Sequence, residues 1–315
     1  MSYQLDNKMV IGVSSRALFD LTIENEIFER EGVEAYCKYQ VEHENDILKP
    51  GPGFELICSL LQLEEIEVII MSRNSPDTSL RVFNAIKHYG LSITRAVLAS
   101  GASLAPYLEA FHTDSFLSAY EDDVQCAIDC GIAAGIICTE TGSNNEGRQN
   151  RNHQPNGQIR IAFDGDAVVF TDESEMIYQE KGLGAFEENE ARNANKPLGD
   201  GPFANFLRKL SDLQKRMGVE KCPIRTALVT SRCAPAHERV IRTLRAWNVR
   251  VDEAFFLGGV EKKEVLKAFG AQIFFDDQKV HTQSASQAVP AALVPYCRSR
   301  KREPIKNEIP AYQDF

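Results

Sequence analysis

The chain has no apolar stretch approaching the length of a membrane span, so no membrane partner is expected. Its first residues, Met1 to Lys8, lack the charged-then-apolar layout of a secretory signal, and a cytoplasmic location is the expectation that follows. There are eight cysteines (37, 58, 126, 130, 138, 222, 233 and 297), yet no two of them form a CxxC pair. Cys126 and Cys130 stand four apart, but no histidine or second pair lies near enough to complete a zinc site. Reduced, buried thiols are therefore expected. A G-x-G-x-x-G order is also missing, so the Gly258-Gly259 pair is no dinucleotide fingerprint. Positive charge is short as well: 35 Lys and Arg stand against 45 Asp and Glu, a net charge of -10, which argues against a nucleic-acid polymer as partner. The one basic cluster, Arg298, Arg300, Lys301 and Arg302, reads as a solvated tail.

What remains is the composition of a globular protein, 43% hydrophobic and 25% charged, over 315 residues. That length suits one large domain or two ordinary ones. Internal similarity points to a duplicated unit, whose two copies either fold as separate sheets or pack as one body. Val68-Ile69-Ile70-Met71-Ser72-Arg73 is echoed by Ala227-Leu228-Val229-Thr230-Ser231-Arg232, and each is followed by a proline (Pro76, Pro235) and a helical pattern. Ile11 to Ala17 lies over Ile161 to Ala167, Gly32 to Tyr36 over Gly182 to Phe186, and Ser115 to Ala119 over Gln272 to Asp277. Each copy reads as strand, helical stretch, strand, helix, strand, helix, strand, which predicts an α/β fold with a parallel, Rossmann-like sheet, internally duplicated. The expected organisation is a first repeat over 1–141, a Gly-, Asn- and Gln-rich linker over 142–158, a second repeat over 159–296 and a tail over 297–315. Within the second repeat an insert over about 171–222 is patterned as helices and is long enough to cover a site as a cap.

In a parallel sheet, ligands collect beyond the carboxyl ends of the strands. Four features of the second repeat fall there. Asp164-Gly165-Asp166 follows the apolar run Ile159 to Phe163, and in an extended segment its two carboxylates point to one side. An Asp-Gly hairpin turn between two strands is the competing reading. Thr230-Ser231-Arg232 supplies hydroxyls and backbone donors before a helix, suited to a phosphoryl oxygen. Lys262, after Leu257-Gly258-Gly259, is a cation for a transferring group, with Lys263 as the alternative. Asp276-Asp277 ends the run Ile273-Phe274-Phe275. So many carboxylates around one point would repel one another, which implies a hard cation such as Mg²⁺.

This order of features resembles the haloacid dehalogenase-like phosphatases. The wording of Phe163-Asp164-Gly165-Asp166-Ala167-Val168, Ala227 to Arg232, Pro235-Ala236-His237-Glu238-Arg239-Val240 and Ala254 to Gly259 is similar to the cytosolic type I 5'-nucleotidases over nearly the whole chain. The resemblance implies a haloacid dehalogenase-like core and Mg²⁺-dependent hydrolysis of nucleoside 5'-monophosphates. It implies Asp164 as nucleophile forming an aspartyl-phosphate, and Asp166 as the acid and then the base. Thr230, Ser231 and Lys262 would bind phosphate. Asp164, Asp276 and Asp277, with the Asp166 carbonyl, would hold the metal. The same chemistry on another small phosphomonoester, or a non-catalytic nucleotide-binding sensor, are the competing functions.

In the insert, Phe186, Asn189 and Asn193, with Asn195 and Lys196, are candidate base or ribose contacts, or else a solvated face. His237, with Arg232 and Glu238, is a second-rank candidate at the start of a helix. The first repeat carries Ser14 for Asp164, Arg16 for Asp166, Met71 for Thr230 and Ser118-Ala119 for the acidic pair, so it cannot hold the same metal. Either it is structural, or Arg16 and Arg73 bind a phosphate of an effector or substrate without cleaving it. Base preference and homo-oligomerisation stay open.

Overall fold

A computed structural model describes residue 5 and residues 7–139, 157–218 and 220–296. Most of the expected linker (142–156) and the whole tail 297–315, with its basic cluster and Cys297, lie outside the described residues. The first half runs β1 (Met9–Val13), α1 (Ser15–Leu18), α2 (Thr22–Glu42), α3 (Phe54–Leu60), β2 (Ile66–Ser72), α4 (Leu80–His88), β3 (Arg95–Leu98), α5 (Ala105–Ala110), β4 (Ser115–Ser118), α6 (Glu121–Asp129) and β5 (Ala133–Ile137). The second runs β6 (Ile159–Phe163), a wide helical turn over Gly165–Val169, α7 (Glu173–Arg192), α8 (Ala204–Met217), β7 (Ile224–Thr230), α9 (His237–Ala246), β8 (Glu253–Phe256), α10 (Lys262–Phe269), β9 (Ile273–Asp276), α11 (Lys279–Ser286) and β10 (Ala291–Leu293). Among the described residues each half thus holds five strands, one more than the apolar runs announce.

All ten strands join one sheet in the order β3-β2-β1-β4-β5-β10-β9-β6-β7-β8. Every neighbouring pair is parallel except β5 and β10, which meet antiparallel through Ala292↔Ile137 and Leu293↔Ile136. The expectation of a wholly parallel sheet is corrected to a mixed one. The short fifth strand of each half covers the other's open edge, where unpaired backbone groups would otherwise invite foreign strands. The Asp-Gly hairpin is also excluded: β6 pairs in parallel with β7 and β9, and Gly165 begins a helical turn rather than a return strand.

Both faces of the sheet are covered, as the buried apolar strands require. Along β9, Ile273 and Phe275 join the main core, which also takes Phe203, Phe206, Leu207 and Leu210 of the α8 region and Val240 of α9. Phe274 between them joins a second cluster with Leu266 and Phe269 of α10 and Ala285 of α11. Within the expected cap, α8 is a layer helix of the core, with Phe203 only 4.4 Å from Phe275 between ring centroids, while α7 reaches the cleft through Glu175. Helix α7 breaks at Gly182, and α2 breaks at Gly32; both take positive φ, +79° and +84°, which glycine adopts without the steric cost of a Cβ.

The ladder register places equivalent positions of the two halves. Val13 pairs with Ile70 and Leu117, and Phe163 pairs with Leu228 and Phe275. Counting on from these, Ser14 matches Asp164 and Ser118 matches Asp276. At the end of β2, however, Ser72 takes the place of Thr230, not Met71, and Arg73 takes the place of Ser231. A shift of one residue in a strand reverses the face of every side chain, and Met71 is accordingly fully buried in the core.

Candidate active site

Asp164, Asp166, Glu175, Thr230, Ser231, Lys262, Asp277, Gln278 and His281 line a small open pocket at the carboxyl edge of β6, β7 and β9. The local chain explains the convergence. Asp164 follows directly on β6, and its backbone N–H donates to Phe275 O on the neighbouring strand at 2.8 Å. Gly165 then runs close to the end of β7: a Cβ there would lie 3.3 Å from Thr230 Oγ1, a tight contact that a larger residue could take only if Thr230 moved by a few tenths of an ångström. Thr230, almost fully buried, accepts a hydrogen bond from Arg232 N at 3.2 Å, which turns the chain away from the strand end. Asp276 accepts from Gln278 N at 2.8 Å in the same way.

Lys262 is buried, and its ammonium donates to Asp164 Oδ1 at 2.8 Å and to Asp276 Oδ2 at 2.6 Å. Burial works against its charge, but the two carboxylates prevail and hold its pKa above the ordinary lysine value. Lys263, the alternative, reaches away to Gln287 Oε1 at 2.7 Å. Asp164, Asp276 and Asp277 bring oxygen atoms within 4.8 Å of one another, a group able to hold a metal ion. Burial, with repulsion from Asp276 next among the raising effects, pushes Asp164 up to about 7 despite Lys262. Burial together with repulsion from Asp164 and Asp276 pushes Asp277 up to about 8. Asp276 goes the other way: burial is outweighed by the nearby His281 ring, the charge and hydrogen bond of Lys262 and the hydrogen bond from the Gln278 backbone. One ammonium cannot neutralise three close carboxylates, so two of them hold their protons more tightly in the metal-free chain, and a hard divalent cation would take the place of those protons.

Asp166 stands apart from that group. Both of its oxygens are taken by Arg232, Nε to Oδ2 at 2.8 Å and Nη2 to Oδ1 at 2.6 Å. Arg232 also donates through Nη1 to Glu190, a buried acid on α7 that in turn accepts from Arg239 Nη1 at 2.8 Å, Ser174 Oγ at 2.8 Å and Asn189 Nδ2 at 3.1 Å. Glu190 keeps a lowered pKa because Arg232 overcomes its desolvation. Phe186 covers the Arg232 guanidinium, with its ring centroid 5.3 Å away.

The sequence candidates thus separate. Asp164, Asp166, Thr230, Ser231, Lys262 and Asp277 share the cleft, and Asp276 lies directly behind it. Asn189 and Asn193 do not line it; Asn193 bonds back to Asn189 within α7, at 2.9 Å to its carbonyl and 3.0 Å to its side chain. His237 packs edge-on against Phe256. Arg16 and Arg73 lie in the other half, Arg16 on Asn25 and Arg73 on Asp123. Glu175, Gln278 and His281 line the cleft and Glu190 braces it, though nothing in their sequence surroundings sets them apart from exposed polar residues.

Comparison with known proteins places this geometry. A family model for 5'-nucleotidase matches residues 1–301. Human cytosolic 5'-nucleotidase 1B is 37% identical over 298 residues, which is 89% of this chain and 48% of that protein. The chain spans about half the length of the curated relative it matches. Among the described residues no helix is long and apolar enough to cross a membrane, and the seven cysteines there are all free thiols.

Proposed function

The chain belongs to the 5'-nucleotidase family, and from that premise we propose that it is a cytoplasmic, Mg²⁺-dependent phosphomonoesterase that hydrolyses nucleoside 5'-monophosphates through a phospho-aspartate. The observation that carries the reading is the Lys262 bridge between Asp164 and Asp276, with Asp277 beside it, at the mouth of a cleft that also presents Thr230 and Ser231.

In this mechanism an Asp164 oxygen attacks phosphorus, the bond from phosphorus to the 5'-oxygen breaks, and Asp166 delivers a proton to the leaving oxygen. Water then attacks the phosphorus of the acyl phosphate and gives a proton to Asp166, which frees inorganic phosphate and the Asp164 carboxylate. Lys262, the Thr230 hydroxyl and Ser231 bind the non-bridging oxygens where charge builds up. Asp164, Asp276 and Asp277, with the Asp166 carbonyl, would hold Mg²⁺, which supplies charge neutralisation between the phosphate and the attacking carboxylate. Arg232 must release at least one Asp166 oxygen before that carboxyl can hand over a proton.

The reading extends to the scaffold. A haloacid dehalogenase-like core and an origin by internal duplication are supported by the matching strand orders on either side of the β5–β10 join and by the paired breaks at Gly32 and Gly182. The domain limits 1–141 and 159–296 follow from that duplication. Phosphate release from a panel of nucleoside monophosphates and sugar phosphates, with Mg²⁺ and after its removal, tests the function. Release from the nucleotides alone, dependent on the metal, is expected; release from sugar phosphates alone would replace the substrate class.

A further inference from the structure

The carboxyl edge of the first half holds a second cluster of buried polar groups, set on the same backbone framework as the cleft. Ser14 N donates to Leu117 O at 2.9 Å, as Asp164 N does to Phe275 O at 2.8 Å. Ser72 Oγ accepts from Asn74 N at 3.1 Å, as Thr230 Oγ1 does from Arg232 N at 3.2 Å. Ser118 Oγ accepts from Tyr120 N at 3.1 Å, as Asp276 Oδ1 does from Gln278 N at 2.8 Å. The framework is kept while the chemistry is inverted. Ser14 and Ser118 replace acids, Ala119 replaces Asp277, and Leu104, at the same interval after β3 as Lys262 after β8, replaces the ammonium.

A carboxylate can only accept hydrogen bonds, whereas a serine hydroxyl that accepts from a backbone N–H still has its own proton to give. Ser14, Ser15, Ser72 and Ser118 are all buried, with Ser15 Oγ 3.3 Å from Ser72 Oγ. Arg16 stands where the second half has Asp166. Its Nη1 donates to Asn25 Oδ1 at 2.8 Å, and its guanidinium carbon lies 5.8 Å from the Tyr120 ring centroid. Its Nε is buried without a hydrogen-bond partner, as is Asn74 Nδ2, and an orphaned buried donor is costly. Arg73 holds Asp123 through Nε at 2.7 Å and Nη2 at 2.5 Å. Arg16 and Arg73 bring two guanidiniums to this edge, where Asp123 is paired with Arg73 and feels the charge of Asp122. Asp123 Oδ2 and Gln40 Oε1 are unpaired acceptors nearby, so the orphans are not donors alone, but the unpaired guanidinium Nε of Arg16 and the serine protons suit an anion.

We propose that this edge is a non-catalytic site for a phosphoryl-type oxyanion, held by Arg16, Asn74 and the serine hydroxyls. With Ser14 in the place of Asp164, and neither a lysine nor a carboxylate group for a metal, the site binds without cleaving. The oxyanion could come from free phosphate or from a phosphate ester, since both present the same oxygens.

The test is calorimetric titration of inorganic phosphate, and separately of a nucleoside 5'-monophosphate, into metal-free protein dialysed after chelation. Phosphate held in the cleft would be weakened by Thr230→Val and phosphate held in the first half by the arginine variants, so the variants assign the site. One phosphate site is expected, weakened at least about tenfold in Arg16→Gln and unchanged in Thr230→Val. Tighter binding of the monophosphate identifies an ester as the source, and equal or weaker binding identifies free phosphate. Circular dichroism checks the fold of Arg16→Gln, and Arg73→Gln, which removes the second guanidinium of this edge and leaves Asp123 unpaired, serves as a second variant in which binding is also expected to weaken. No phosphate binding to the metal-free chain, or binding that survives both arginine variants, overturns the proposal. Neither outcome depends on phosphatase activity, so this proposal and the proposed function fail separately.

Discussion

Arg232 grips Asp166 through two hydrogen bonds, 2.6 and 2.8 Å long, while its remaining nitrogen holds Glu190 of α7. A planar guanidinium suits this forked geometry, and an ammonium cannot reproduce it. The pair links α7, which lines the cleft through Glu175, to the carboxylate that moves protons in the proposed mechanism. Arg232→Lys is therefore expected to lower kcat by about tenfold or more while KM changes little, because the fault lies in placing Asp166 rather than in binding phosphate. Steady-state kinetics check this; a rise in KM at unchanged kcat would make Arg232 a substrate-binding group instead.

Glu190 is expected to matter for stability as much as for activity. Glu190→Gln leaves Arg232 and Arg239 short of a counter-charge inside the protein, and breaking a buried pair in this way costs roughly 3–5 kcal/mol. Urea unfolding measures the loss. A cost below about 1 kcal/mol, the level of a surface pair, would mean that the network is solvated.

The two lysines give opposite expectations. Lys262→Gln removes the cation between Asp164 and Asp276 and should reduce phosphate release by a factor on the order of 10² or more. Lys263→Gln, which loses only a contact with Gln287, should stay within about twofold of the parent. Equal effects of the two would undo the assignment.

Acidity supplies a further test. Asp164 and Asp277 sit at about 7 and about 8 in the folded, metal-free chain, above the ordinary carboxylate value of 3.8. An acid raised on folding binds its proton more tightly in the native state, so its contribution is complete below the unfolded value and is lost as pH rises through the folded one. Metal-free protein should therefore lose stability between about pH 4 and pH 8, and Mg²⁺ should restore most at the upper end. Thermal unfolding with and without the metal checks this; a metal-induced rise in Tm that shrinks with increasing pH would contradict it.

Much of the cleft was legible in the sequence because its residues sit at strand ends, where a short apolar run gives way to a polar or acidic residue. Asp164, Thr230 and Asp276 all follow that pattern, and Lys262 opens the next helix. Glu190 gave no such signal: it lies in Glu187-Glu188-Asn189-Glu190, a row that reads as a solvated helix face, and its burial depends on Arg232 and Arg239, far along the chain. Asn189 and Asn193 stayed ambiguous for the same reason, since polarity alone does not separate a ligand contact from a helix that bonds to itself. Likeness of residue type aligned Met71 with Thr230, whereas ladder register, which no local pattern reveals, aligns Ser72. The continuous sheet was equally hidden, because the β5–β10 join is only two residue pairs long.

The central claim is that Asp164 carries the phosphoryl group. Acid quenching during turnover of a nucleoside monophosphate with a labelled phosphoryl group, followed by peptide mapping, tests it most directly. The account predicts label on the peptide containing Asp164, and neither label nor phosphate release in Asp164→Asn with its fold intact. Normal turnover by Asp164→Asn, or label on a different residue, would contradict it.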